Sequence, residues 1–132
     1  MVNYLAIFVV AILDMIIGGL WYGPLFGDRW MKLSGFTSKK MTEAQKRGMW
    51  KLYLTNFIAI LVMLSVLSLF VSTGGSFMIG ALLGCFIWVG FFATTMLSSV
   101  IWEGKPIQLY LIHVFHYLVI LIISGGILAI WP

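Results

Sequence analysis

Residues 2–21 read VNYLAIFVVAILDMIIGGLW, and they identify the class of protein to which the chain belongs. It is long and apolar enough to cross a membrane as a helix, since a span needs about 20 mostly apolar residues. A single acid, Asp14, interrupts it. An ionised acid near the centre of a span costs roughly 2.5–3.5 kcal/mol on insertion scales, so Asp14 requires a partner, a water-filled cavity or protonation.

The remainder of the chain has the same apolar character. Of its 132 residues, 62% are hydrophobic and 9% are charged, whereas a soluble domain carries roughly 25% charged residues. This composition excludes a water-soluble protein. We predict an all-α integral membrane protein, a bundle of four transmembrane helices that forms one domain over residues 1–132. The predicted spans cover approximately residues 2–22, 50–71, 77–100 and 107–131.

Most of the basic residues lie in or beside the connection between the first two spans, residues 23–49. They are Arg29, Lys32, Lys39, Lys40, Lys46, Arg47 and Lys51. Lys105 lies in the third connection. Because an excess of lysine and arginine marks the cytoplasmic side, we expect both connections to face the cytoplasm. Both termini would then lie outside (N-out/C-out), and the protein would be a multi-pass protein of the plasma (cytoplasmic) membrane.

The basic cluster also predicts what the chain binds. It adjoins membrane spans and lacks a motif that reads a nucleic-acid groove, so no nucleic-acid partner is expected. Anionic lipid head groups of the bilayer are the expected partners of this connection.

Two local signals predict where helices end and begin around the basic connection. Pro24 has no N–H and disfavours helix at the residue before it, so the first span should end at Gly23. The sequence Thr42-Glu43-Ala44-Gln45 matches a capping box. That pattern predicts a helix that begins near Glu43 and continues into the second span.

Polar side chains of all four predicted spans lie at a similar depth below the basic connection. With a rise of about 1.5 Å per residue, Asp14 is about 12 Å from the end of its span. On the same basis His113 and His116 are about 9 and 13–14 Å from the start of theirs. The other polar residues, at roughly 8–9 Å, are Asn56, Thr94 and Thr95.

Helical periodicity brings some of these residues to common faces. Asp14 and Gly18 share one face of the first span, and the two histidines share one side of the fourth with Tyr117 and Ser124. A carboxylate of Asp14 facing His113 or His116 would form a charge-assisted hydrogen bond and couple the two titrations.

Two functions remain open from this pattern. The first is a small proton-coupled transporter or permeation protein that uses the Asp/His pair, since intramembrane acids mark proton relays and solute sites. In that case the proton- or solute-binding candidates are Asp14, His116, His113, Asn56 and Thr95. The second is a non-transporting scaffold or accessory subunit, because polar residues in spans often only bridge helices, at about 0.6 kcal/mol each.

Metal and enzyme chemistry are less favoured. His113 and His116 could join Asp14 in a set of two histidines and one carboxylate, but the Glu of the His-Glu-x-x-His zinc signature is lacking. We therefore predict no metal and no cofactor. No nucleophile elbow, phosphate-binding glycine loop or catalytic-triad order is recognisable, so an enzyme is the minority interpretation.

Small residues predict where helices approach closely. Gly80 and Gly84 form a small-xxx-small pair in the third span, and Gly18 lies one turn from Asp14. Such residues let helix backbones pack closely, either within the bundle or between subunits. Four short helices enclose little space, so a solute pathway would form more easily between subunits. We therefore expect a homo-oligomer.

The stretch from Gly19 to Gly27, GLWYGPLFG, followed by Trp30-Met31, resembles the signature of the membrane protein family known as domain of unknown function 1761. Trp88-Val89-Gly90-Phe91 and the segment around His113 and His116 resemble the family as well. The resemblance implies a four-span membrane protein, and it supplies no activity or substrate. We expect the motif to form a compact turn at the membrane interface. Its aromatic and proline residues are Trp21, Tyr22, Pro24, Phe26 and Trp30.

Overall fold

The computed structural model describes residues 2–35, 38–71 and 74–132, and the fold is all-α, with 87% of these described residues in helices. Within these ranges there is no strand. In chain order the helical elements are α1 (Tyr4–Leu20), π1 (Trp21–Leu25), α2 (Gly27–Ser34), α3 (Ser38–Arg47), α4 (Met49–Phe70), α5 (Phe77–Ile87), π2 (Trp88–Ala93), α6 (Thr94–Met96), α7 (Ser98–Ile101) and α8 (Ile107–Ile130).

Four helical stretches in the described ranges are long and apolar enough to cross a membrane. The first span is Tyr4–Leu25, the second Met49–Phe70, the third Phe77–Ile101 and the fourth Ile107–Ile130. The sequence-based bounds differ from these by at most three residues. The all-α class is confirmed, and the four apolar helices identify a membrane protein.

The fourth span lies at the centre of the bundle. Eleven of its residues are buried, against two in the second span. It packs against the first and third spans, and the second span packs chiefly against the first. The buried apolar core contains Ala6, Ile7, Val10, Ala11, Leu64, Leu67, Val71, Leu121, Leu128 and Ala129.

The third and fourth spans approach each other through glycine. A Cβ atom added to Gly80 would overlap the carbonyl oxygen of Gly125, and one added to Gly84 would overlap that of Leu121. The absence of side chains lets the two backbones come into contact. The small-xxx-small pair therefore packs within the bundle, which was one of the two predicted possibilities.

The first span does not end at Gly23, so that prediction is wrong. The helix widens into the π-helical turn π1 and continues through Pro24 to Leu25. The N–H of Phe26 donates to the carbonyl of Trp21, five residues back, at 2.9 Å. A hydrogen bond between residues five apart does not require an N–H at Pro24, so the wide turn accommodates the proline.

The basic connection is largely helical, although residues 36 and 37 lie outside the described ranges. Helix α3 begins at Ser38 and ends at Arg47, so Thr42 lies inside a helix and does not cap one. Gly48, with φ of 99°, then separates α3 from the second span. The predicted start near Glu43 and the predicted continuous helix are both wrong, because this backbone conformation interrupts the helix at glycine.

Candidate functional site

Asp14 is joined to Ser124 in the interior of the bundle. The Ser124 hydroxyl oxygen lies 3.0 Å from each carboxyl oxygen of Asp14 and donates to them. Asp14 is 1% exposed and Ser124 0%. Within the described residues this hydroxyl is the one hydrogen-bond donor of the carboxyl group, and no basic side chain pairs with it. The contact ties the first span to the fourth.

The predicted hydrogen bond between Asp14 and a histidine is therefore absent from the described structure. Neither ring nitrogen of His116 has a hydrogen-bond partner among the residues that the structure describes, and the Nδ1 atom of His113 lies 2.7 Å from the hydroxyl oxygen of Tyr22. Ser124 comes eight residues after His116, which is about 12 Å further along the helix.

The error comes from the register of the two helices. The depth estimate placed Tyr22 and Ile107 at the same level. In the structure the Trp21 indole donates to the carbonyl of Ile112 at 2.9 Å, and Tyr22 meets His113. Tyr22 is therefore level with His113 and not with Ile107, and His113 lies more than one helical turn after Ile107. Asp14 consequently faces a deeper turn of the fourth span than the one that carries the histidines.

His116 lies among aromatic rings. Its ring centroid is 6.0 Å from that of Trp21, 5.1 Å from that of Tyr22 and 5.2 Å from that of Tyr117. Gly18 provides the space beside it, since a Cβ atom there would lie 3.5 Å from the His116 Nε2 atom. Imidazole always carries at least one N–H donor, and buried polar atoms without a partner are uncommon. His116 is therefore positioned to bind a water molecule or to exchange a proton.

A polar cavity leads from the basic end of the bundle to His113. Its volume is 280 Å³, and its lining includes Ser98, Glu103, Lys105 and His113. Lys105 and Glu103 form an exposed ion pair at 3.3 Å. A series of polar groups thus leads inward from the end of the bundle that carries the basic connection. It consists of the cavity, His113, Tyr22 and His116.

The remaining predicted candidates lie apart from Asp14. Asn56 is exposed, and its side-chain N–H donates to the Met15 sulfur at 3.3 Å. Thr94 and Thr95 are exposed, and their hydroxyls donate to the carbonyls of Gly90 and Phe91 in their own helix. The predicted layer shared by all four spans is therefore reduced to residues of the first and fourth spans.

The aromatic residues of the first-span motif do more than form a turn. The indoles of Trp21 and Trp88 donate to the carbonyls of Ile112 and Val114, at 2.9 and 2.6 Å, so they hold the fourth span from two sides. Tyr22 binds His113. Sequence reasoning missed these bonds because an indole N–H that reaches the backbone of another helix leaves no local pattern. Ser124 did lie on the predicted histidine face, and its spacing of two turns from His116 was the available signal.

Asp14, His113 and His116 do not come together as a metal-binding group within the described part of the chain.

Comparisons with curated proteins and with solved structures gave no match. A family model described as "Protein of unknown function (DUF1761)" matches residues 5–129, which include the first-span motif, Asp14, both histidines and Ser124. The chain therefore belongs to the DUF1761 family.

Proposed function

We propose that the chain is a small proton-coupled transporter or permeation protein in which Asp14 takes up and releases the proton. The observation that carries this proposal is the environment of Asp14, a buried carboxyl group that has, among the described residues, a single hydroxyl donor and no cation. Acids inside membrane spans are costly and rare, and those that occur typically mark a proton, ion or solute pathway. A purely structural role would be served at lower cost by a neutral amide.

Polar groups between the basic end and the interior support a route for the proton. The cavity at His113 opens towards Glu103 and Lys105, and His113 is hydrogen-bonded to Tyr22. The Tyr22 ring packs against His116, whose nitrogens are free within the described residues. Imidazole and phenol groups can both donate and accept, so each can pass on a proton.

The inner part of the route has to open during the cycle. His116 and Ser124 are separated by about 12 Å along the fourth span, and the buried Ile120 lies between them. We infer that water enters this interval, or that the first span shifts along the fourth, when Asp14 exchanges its proton. Gly18 lies beside His116, where a Cβ atom would be 3.5 Å from the His116 Nε2 atom, so the two spans are already close at this level.

The basic residues support one orientation. We propose that the connection of residues 23–49 faces the cytoplasm, with both termini outside the cytoplasmic membrane, because lysine and arginine favour the cytoplasmic side. The polar cavity at His113 would then open to the cytoplasm.

The test compares two acid-to-amide variants in proteoliposomes that contain a pH reporter. With an imposed pH gradient, we expect Asp14→Asn to abolish proton flux, because the amide keeps the shape but cannot exchange a proton. The matched control is Asp28→Asn, an exposed acid of α2, which should leave flux unchanged. Equal flux from the wild type and Asp14→Asn, or no flux of protons or candidate solutes from the wild type, would refute the proposal.

A second candidate function, a self-associating membrane scaffold, is favoured by the second span. Asn56 is exposed, and its hydrogen-bond partner is a sulfur atom, which is a weak acceptor. Lipid tails have no acceptor at all, so a second copy of the chain would be a better partner for this amide. Exposed residues beside it alternate at spacings of three and four, the pattern of a helix pair. They are Leu52, Thr55, Ala59, Val62, Val66 and Leu69.

Subunit counting in vesicles by photobleaching tests the scaffold. Asn56→Val and Val62→Ala should shift dimers to monomers, whereas Leu54→Ala, an exposed position off this stripe, should not. A wild-type protein that remains monomeric at high protein-to-lipid ratio would contradict self-association through this face.

A further inference from the structure

A groove of 460 Å³ lies between the end of the first span and the fourth span. Its lining includes Trp21, Phe26, Arg29, Gln108, Phe115 and Val119. This groove is separate from the cavity at His113 and from the buried Asp14–Ser124 contact. None of the functions proposed above uses it.

The polar and apolar residues of the groove are arranged in order of depth. Gln108 lies in the first turn of α8, and Leu111, Phe115 and Val119 follow at spacings of three and four on one face of that helix. The distance from Gln108 to Val119 is about 16 Å along the helix axis. Arg29, on α2, lines the groove as well, and α2 packs beside this part of α8. The groove therefore has a polar, cationic mouth and continues as an apolar channel into the membrane.

The mouth is suited to a phosphate group. Arg29 is exposed, and no acidic side chain pairs with it in the described ranges. A guanidinium group donates two parallel hydrogen bonds to phosphate oxygens, and the Gln108 amide can donate another.

The floor of the groove is held in place. The Trp21 indole is fixed by its bond to the carbonyl of Ile112, and the Phe26 ring lies against it with centroids 4.7 Å apart. Preformed apolar walls lower the entropy lost when a flexible chain binds.

We propose that this groove binds one anionic phospholipid, with its phosphate on Arg29 and Gln108 and an acyl chain along Leu111, Phe115 and Val119. The apolar channel favours a lipid over a free anion, and the net charge of +4 favours an anionic lipid over a zwitterionic one. The site is a single lipid position in the bundle, distinct from the general attraction of head groups to the basic connection. It does not depend on the transport proposal.

Native mass spectrometry of the full chain in detergent tests the site. The probes are dioleoyl phosphatidylglycerol and dioleoyl phosphatidylcholine, which share acyl chains and differ in net charge. We expect one phosphatidylglycerol to be retained about tenfold more tightly than phosphatidylcholine, because phosphatidylcholine carries the same phosphate but adds a choline cation that Arg29 repels. Arg29→Gln should remove this preference. Lys32→Gln, which removes a charge from the same helix outside the groove lining, should keep it.

A groove-filling variant separates the lipid from a free anion. Val119→Trp should weaken retention of both lipids, and inorganic phosphate should fail to displace phosphatidylglycerol. Helical content by circular dichroism confirms that each variant is folded. Equal loss of preference from Arg29→Gln and Lys32→Gln, equal retention of the two lipids by the wild type, or displacement by inorganic phosphate would overturn the proposal.

Discussion

Ser124 donates its hydroxyl to both carboxyl oxygens of Asp14, at 3.0 Å each, and so closes a contact between the first and last spans. Both side chains are fully buried. Among the described residues the carboxyl group thus has one neutral donor, and loss of that donor would leave it without a described partner in an apolar interior. Such a group is costly, because a buried polar atom without a hydrogen bond loses its solvation with no replacement.

Ser124→Ala is expected to destabilise the protein by about 1 kcal/mol, the upper part of the range for interhelical hydrogen bonds in membranes. The same substitution in an Asp14→Leu background should cost close to nothing, since the acceptor is already absent. Unfolding in detergent, monitored by circular dichroism, gives the free energies of unfolding of the wild type, the two single variants and the double variant. The same cost in both backgrounds would show that the hydroxyl contributes nothing through Asp14.

Gly80→Ala is expected to destabilise the bundle by roughly 1–3 kcal/mol, because the new Cβ atom meets the Gly125 carbonyl and the Ala129 side chain. Gly19→Ala is the control, since a Cβ atom there meets nothing within 4 Å. Its effect should be neutral or stabilising by up to about 1 kcal/mol through helix propensity. Thermal unfolding of the two variants in the same detergent measures the difference, and a Gly80→Ala protein as stable as Gly19→Ala would contradict the close packing.

Trp21→Phe and Trp88→Phe should each lower the unfolding free energy by about 1 kcal/mol, because each removes an indole donor to the fourth span. Trp102→Phe, at a residue 85% exposed, should have no comparable effect. The assay is again unfolding in detergent. If all three variants behave alike, these indoles do not hold the helix.

Tyr22→Phe tests the proposed proton route and rests on the transport proposal. The variant keeps the ring against His116 and removes the hydroxyl that binds His113. We expect proton flux in proteoliposomes to fall by about a hundredfold, the low end of what a positioned proton donor contributes. Tyr53→Phe, an exposed tyrosine of the second span, is the control. Unchanged flux in Tyr22→Phe would remove Tyr22 from the route.

The spans could be predicted from the sequence because hydropathy reports directly on length and burial in lipid. Their ends were harder to predict. Pro24 lies inside a π-helical turn, where a hydrogen bond between residues five apart replaces the α-helical pattern that proline would break. Local rules describe the α-helical case and do not anticipate this alternative.

The candidate site could be predicted only in part, because its residues are recognisable in the sequence but their pairing is not. Asp14 is conspicuous as the acid of an apolar helix, and His116 lies beside the same span in the structure. The partner of Asp14 depends on the register between two helices that are distant in sequence. A displacement of two turns replaces a histidine with Ser124, and no pattern within either helix encodes that displacement.

The Asp14–Ser124 contact also has a consequence for biosynthesis. The two residues are 110 positions apart, so at about 5–20 residues per second the serine is synthesised roughly 5–20 s after the acid. Throughout that interval the first span must remain at the translocon or in lipid with its acid unsatisfied. The fourth span supplies both the Ser124 donor and the centre of the bundle. A chain that stopped before the fourth span would therefore lack the donor that Asp14 has in the folded bundle.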